Sequence, residues 1–167
     1  MVVFRCTRKL LRHLDNEDAR GPPASTTRLG AWGANVVGVR RQHVVLAVSA
    51  VTLLPVLVPA APYKTMVARF AEGAGQVLRA LKIDEAQVRA EENAMRDYVV
   101  ATTNDRRVLG SLNDFVNMLE AYLDDRSLTE VALHLAEAPC SPLGMKSPRE
   151  ATLALFSTPT LRLVKNS

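Results

Sequence analysis

The sequence predicts a single α+β domain, with a mixed, largely antiparallel sheet of four to five strands covered by a helical C-terminal half. Three observations carry this. β-Branched residues crowd the stretch from Leu29 to Val58, apolar residues recur at helical spacing from residue 63 onward, and two capping boxes stand at Ser127 and Ser147. The chain has 167 residues, 48% apolar and 23% charged, which is enough for one packed core and excludes a wholly disordered chain. The domain is expected over residues 1–157, with a loop at 15–28.

Val2-Val3-Phe4-Arg5-Cys6 reads as a short strand, after which Thr7 can cap a basic helix over 8–14. Residues 15–28, with Gly21-Pro22-Pro23 and Ser25-Thr26-Thr27, lack periodicity and read as a loop that tolerates changes of length. Strands at 34–39 and 43–48 flank the polar Arg40-Arg41-Gln42 turn, and a third at 53–58 ends in Pro59-Ala60-Ala61-Pro62, where proline removes ladder donors. Met66, Val67, Phe70, Ala74, Val77, Leu78 and Leu81 define one face of a helix over 63–81. Asp84 is placed to cap a helix over 85–96, and Tyr98–Thr102 has strand character.

The most periodic segment is Val108, Leu109, Leu112, Phe115, Val116, Leu119 and Leu123, an apolar arc of about 120° at 100° per residue. It predicts a helix over 106–123, started by Asn104 or Asp105 and ended by Asp124-Asp125. Ser127-Leu-Thr-Glu130 and Ser147-Pro148-Arg-Glu150 then start helices at 128–137 and 148–156 around a Pro139–Pro142 loop. The tail, 158–167, is either an edge strand through Leu161–Val164 or frayed chain.

Val44–Ala61 is 18 residues long with only Ser49 and Thr52 polar, at the lower bound for a membrane span. Pro55, Pro59 and the valines suit buried strands better, so no membrane partner is expected. Residues 1–82 hold 12 Lys/Arg against 4 Asp/Glu, and residues 83–167 hold 9 against 13. The basic half, with Arg5, Arg8, Lys9, Arg12, Arg28, Arg40 and Arg41 dispersed along it, could attract phosphates, and the 5% aromatic content limits base stacking. Cys6 and Cys140 form no CxxC pair and read as reduced, mostly buried thiols. The first residues contain no apolar core long enough for export, which makes the cytoplasm the expected location.

The segments Phe4-Arg-Cys-Thr-Arg-Lys-Leu-Leu11, Leu29-Gly-Ala-Trp32-Gly-Ala-Asn35 and Asn104-Asp-Arg-Arg-Val-Leu-Gly-Ser-Leu-Asn-Asp-Phe115 resemble a bacterial family of small proteins of unknown function. An Arg-x-Val-Leu-Gly-Ser-x-Asn-Asp block marks that family. Leu135-Ala-Glu-Ala-Pro-Cys-Ser-Pro-Leu143 and Ser147-Pro148 extend the resemblance over nearly the whole chain. It implies no activity. Thr103, Arg106, Gly110, Ser111, Asn113 and Asp114 match the family pattern. Arg107 stands where serine is expected, while Asp105 and Ser49 stand where asparagine is expected, so a family site would be incomplete at position 49.

On the 106–123 helix, Arg106, Gly110, Asn113 and Asn117 fall within about 60° opposite the apolar stripe. Glycine inside a helix costs about 1 kcal/mol relative to alanine, so Gly110 is read as a point of close approach by a neighbouring segment or a ligand. Of the two, a packed neighbour is expected, and alanine there should then destabilise. Thr103, Ser111, Asp114 and, from the first hairpin strand, Asn35 complete the candidate ligand-binding set. Arg106 and Arg107 flank free N–H groups at the helix start, although a capping Asp105 would satisfy them. His13 near Cys6 and His134 near Cys140 raise a thiol nucleophile, but spacing fixes no geometry, and structural cysteines with surface histidines are expected. No metal-ligand spacing, phosphate loop, dinucleotide fingerprint or nucleophile elbow occurs, so no cofactor or metal is expected and catalytic residues stay unassigned. The expected function is a non-catalytic cytoplasmic module binding a protein or small polar ligand through residues 103–117. The alternatives are an enzyme with a pocket around Arg106, Asn113 and Asp114, or weak nucleic-acid binding by the basic half.

Overall fold

The computed structural model describes residues 1–16, 18–122 and 126–157. Leu123, the Asp124-Asp125 helix end and the tail at 158–167 lie outside the described residues. Five strands, β1 (Val2–Cys6), β2 (Trp32–Val39), β3 (Gln42–Ser49), β4 (Pro55–Pro59) and β5 (Tyr98–Thr102), form one mixed sheet in the order β4-β3-β2-β1-β5. β1 is parallel to both neighbours, and the β2–β3 and β3–β4 ladders are antiparallel. The helices are α1 (Arg8–Leu11), α2 (Met66–Ala80), α3 (Glu85–Ala94), α4 (Arg106–Tyr122), α5 (Leu128–Leu135) and α6 (Pro148–Ser157). This is the expected α+β class; β2 and β3 are the longest strands, and the 18-residue apolar stretch supplies most of β3, the following turn and β4.

Strand alternation sends successive side chains to opposite faces. On one face Phe70 of α2 lies 4.9 Å from the rings of both Phe4 and Trp32, and all three are buried. Gly73 lets α2 approach β4, since a Cβ there would come within 2.8 Å of Val58 Cγ1. The other face carries α4, and its closest approach is at Gly33, where a Cβ would collide with Val108 Cγ1. One continuous core runs from Val2 to Phe156.

Several boundaries move for identifiable reasons. α1 is only four residues long, and the chain leaves it through single-turn bonds from His13 N–H to Leu10 O and from Leu14 N–H to Leu11 O. Residues 63–65 are a 3₁₀ turn before α2, and α3 ends at Ala94. Asp84 occupies the cap position of α3 but its side chain makes no capping bond. By contrast Thr7, Ser127 and Ser147 cap as expected, accepting from Leu10, Glu130 and Glu150 N–H respectively. The described residues of the 15–28 segment form a loop that is tied down: Ala19 N–H bonds Val100 O, Asp18 accepts both the Thr102 N–H and hydroxyl, and Ser25 accepts from Val3 N–H. It therefore covers part of the β5 edge, which would otherwise expose unpaired backbone groups.

Two polar side chains fasten loops to this frame. Glu91, 4% exposed, accepts the N–H groups of Arg28 and Leu29; burial pushes its carboxyl pKa up, partly offset by those bonds. Ser49 donates to Leu29 O and accepts from Val51 and Thr52 N–H, so serine at this position serves the β3–β4 turn.

The Gly33 seat yields a test. Gly33→Ala is expected to destabilise by about 1–3 kcal/mol through overpacking against a β-branched side chain with little χ1 freedom. Val108→Ala should recover most of that loss in the double variant, giving a coupling energy measurable by urea unfolding. Simple additivity would show that the helix does not rest there.

Candidate functional site

Asp105 Oδ1 accepts from the N–H groups of Arg107 (2.9 Å) and Val108 (3.3 Å), so the cap of α4 is Asp105 rather than Asn104. Val108, Leu112, Phe115 and Leu119 are buried, while Arg106, Gly110, Asn113, Asp114 and Asn117 are exposed. Arg107 reaches back to the β3–β4 turn, donating to Ala50 O (2.9 Å) and Val51 O (3.2 Å). Arg107 thus pins the start of α4. The Arg106 side chain makes no hydrogen bond or ion pair among the described residues.

The second wall comes from the chain after α5. Ala138-Pro139 leads into a loop closed by Cys140 N–H to Lys146 O (3.0 Å) and Met145 N–H to Cys140 O (3.0 Å), with Gly144 and Met145 both at positive φ. Between this loop and α4 lies a cleft of about 640 Å³. Arg106, Gly110, Ser111, Asp114 and Asn117 line it from α4, above Phe115 and Met118. Pro139, Cys140, Pro142 and Met145 face them. Met145 is 64% exposed.

Five of the expected site residues therefore share one cleft. Asn113 is exposed outside its lining. Thr103 donates its N–H to Cys6 O (3.1 Å) and turns a buried hydroxyl, unpartnered among the described residues, toward a separate pocket of about 80 Å³ that Arg5 and Asp105 also line. Asn35 accepts from the Thr7 hydroxyl (2.6 Å) and so joins β2 to the cap of α1. Gly110 corrects an expectation: a Cβ there meets nothing within 4 Å, so no packed neighbour requires the glycine. Met118 on α4 and the facing Pro139, Cys140, Pro142 and Met145 were not read as site residues. A loop thirty residues downstream carries no sequence signal of where it will fold back, and only Gly144 and the proline pair mark it as a turn.

The thiols are poor nucleophiles. Burial, and secondarily the Asp18 carboxylate, pushes the Cys6 pKa up to about 12. Cys140 is half-buried, and desolvation and then Asp114 raise its pKa. His13 stacks on Tyr63 and His134 packs on Tyr122. Among the described residues no group of three or more His, Cys, Asp or Glu could hold a metal, and no helix is long and apolar enough to cross a membrane.

A family model for a domain of unknown function, DUF6933, matches residues 3–151. The chain belongs to this family. Neither the curated proteins nor the solved structures contain a match. The DUF6933 match takes in both walls of the cleft and the Arg106–Asp114 block.

Gly110→Ala should therefore raise stability by up to about 1 kcal/mol through helix propensity alone. A loss of Tm would mean that a segment packs over this face after all. Iodoacetamide at neutral pH should modify Cys140 more slowly than a cysteine in a short peptide, and Cys6 only on unfolding; fast labelling of Cys6 in the native protein would contradict its burial.

Proposed function

We propose that this domain is a non-catalytic binding module, working in the cytoplasm, that seats a segment of a partner protein in the cleft between α4 and the 138–145 loop. One observation carries this reading: Met145, a side chain of a kind that a folded chain ordinarily hides, stands 64% exposed opposite Arg106 and Asp114, whose side chains make no hydrogen bond or ion pair among the described residues. A wall of methionine and proline accepts apolar side chains of varied shape, and a free cation and a free carboxylate on the facing helix fix the direction of a bound backbone. The open space over Gly110 leaves room for that backbone. Two free thiols suit a reducing compartment.

The enzyme alternative has less support. Of its three residues Asn113 lies outside the cleft lining, and Cys140, the one thiol in that lining, is held as the thiol by burial and by Asp114. A small polar ligand in the same cleft would use Arg106 and Asp114 without needing Met145.

Filling the cleft tests the reading without breaking the fold, because a side chain at 110 has space. Selection of phage-displayed random peptides on the wild-type protein should enrich sequences that bind with Gly110→Trp reducing affinity at least about tenfold, at unchanged or raised Tm. Met145→Ala should weaken the same peptides. Peptides that bind Gly110→Trp as well as wild type would place recognition elsewhere.

A further inference from the structure

The cations of the N-terminal half are scattered in sequence, and the sheet register gathers a subset of them. Cys6 stands opposite Ala34, so β2 continues through 35–39 past the point where β1 gives way to α1. α1 lies beside this projecting part of the β2–β3 hairpin, tied to it by the Thr7–Asn35 bond. β4 returns to the same end, with Pro59 opposite Val44 and Ala60 N–H bonded to His43 O. The chain then passes through Tyr63, whose ring stacks on His13 at 4.6 Å. Arg8, Lys9, Arg12, Arg40, Arg41 and Lys64 are therefore exposed at one end of the molecule with His13 and His43, and residues 7–13, 39–43 and 59–65 contain no Asp or Glu. Arg5 and Arg28 are excluded: Arg5 donates to Thr102 O, and Arg28 lies over the Phe156 ring.

The hairpin turn is the second observation. Arg40 and Arg41 have φ of 48° and 66° between the paired Val39 and Gln42. Positive φ at both central residues is the geometry of a type I′ turn, which Asn-Gly adopts most readily. Two arginines are an unfavourable choice there, and neither side chain makes a hydrogen bond or ion pair among the described residues. A strained pair of cations at a hairpin tip gives the fold nothing, which points to a use outside it.

We propose that this end binds the phosphate backbone of nucleic acid. Six cations on three adjoining segments suit a chain of phosphates. The exposed His13 ring, already stacked, offers a flat face to a base. A lipid surface is a poorer fit, because the exposed large apolar residues Val51, Tyr98 and Met145 belong to other segments. No side-chain set for reading base edges is built here, so sequence preference should be slight.

Fluorescence anisotropy with labelled 20-nucleotide single-stranded RNA and a 20-base-pair DNA duplex, at 50 and 200 mM KCl, tests this. Wild-type affinity for at least one probe should fall about 100-fold over that range if four phosphates are neutralised. Arg40→Asn/Arg41→Gly should raise Tm while losing at least about tenfold in affinity and about two from the salt slope. Arg12→Gln/Lys64→Gln, which leaves the turn intact, should weaken binding similarly, and Arg149→Gln on α6 should not. Three results would overturn the proposal: no binding at 50 mM, unchanged affinity in both double variants, or displacement by poly-L-glutamate as effective per charge as by unlabelled nucleic acid, which would identify an acidic protein as the partner.

Discussion

The position of α4 on the sheet rests on an absent side chain. Gly33 leaves the space that Val108 occupies, and the methyl of any larger residue would lift the helix from β2. Arg107 fixes the rotation by holding the Ala50 and Val51 carbonyls. With the stripe from Val108 to Leu119 committed inward, Arg106, Gly110, Asp114 and Asn117 must face out. The cleft exists because the 138–145 loop closes on itself rather than over that face.

Sheet stagger explains the rest of the outline. β1 and β5 are five residues each and parallel, while β2 and β3 are eight and antiparallel. The hairpin accordingly overhangs, and α1 lies beside the overhang, with Leu10 and Val39 both in the buried core. The two ends of the β-rich layer thus differ in character: Ser49, Leu29 and Glu91 interlock turns at one end, and exposed cations crowd the other.

Much of the fold was legible in the sequence because its signals are local. The crowding of β-branched residues, the stripe of α4 and the Ser127 and Ser147 caps depend on residues within a few positions of one another. The sheet order was not legible, since nothing in Val2–Cys6 announces that its partners begin at Trp32 and Tyr98. For the site, the outward arc of α4 followed from periodicity, whereas the loop that completes the cleft depends on tertiary packing. Asn35 illustrates the limit. A strand residue facing the α4 side of the sheet looked available to Arg106, but the end of β1 puts the Thr7 hydroxyl within reach first. Gly110 misled in a different way. A helical glycine signals missing bulk without saying whether protein or solvent takes its place, and here the space is open.

Native-state hydrogen exchange tests most directly whether the cleft is a preformed feature of the fold. If α4 is seated as described, the amides of Leu112, Phe115 and Leu119 exchange with the same opening free energy as the ladder amides of β2 and β3, because both are exposed only by global unfolding. An opening free energy for α4 lower than that of the sheet by about 2 kcal/mol or more would show a helix that detaches on its own, and a cleft whose near wall is not held in place.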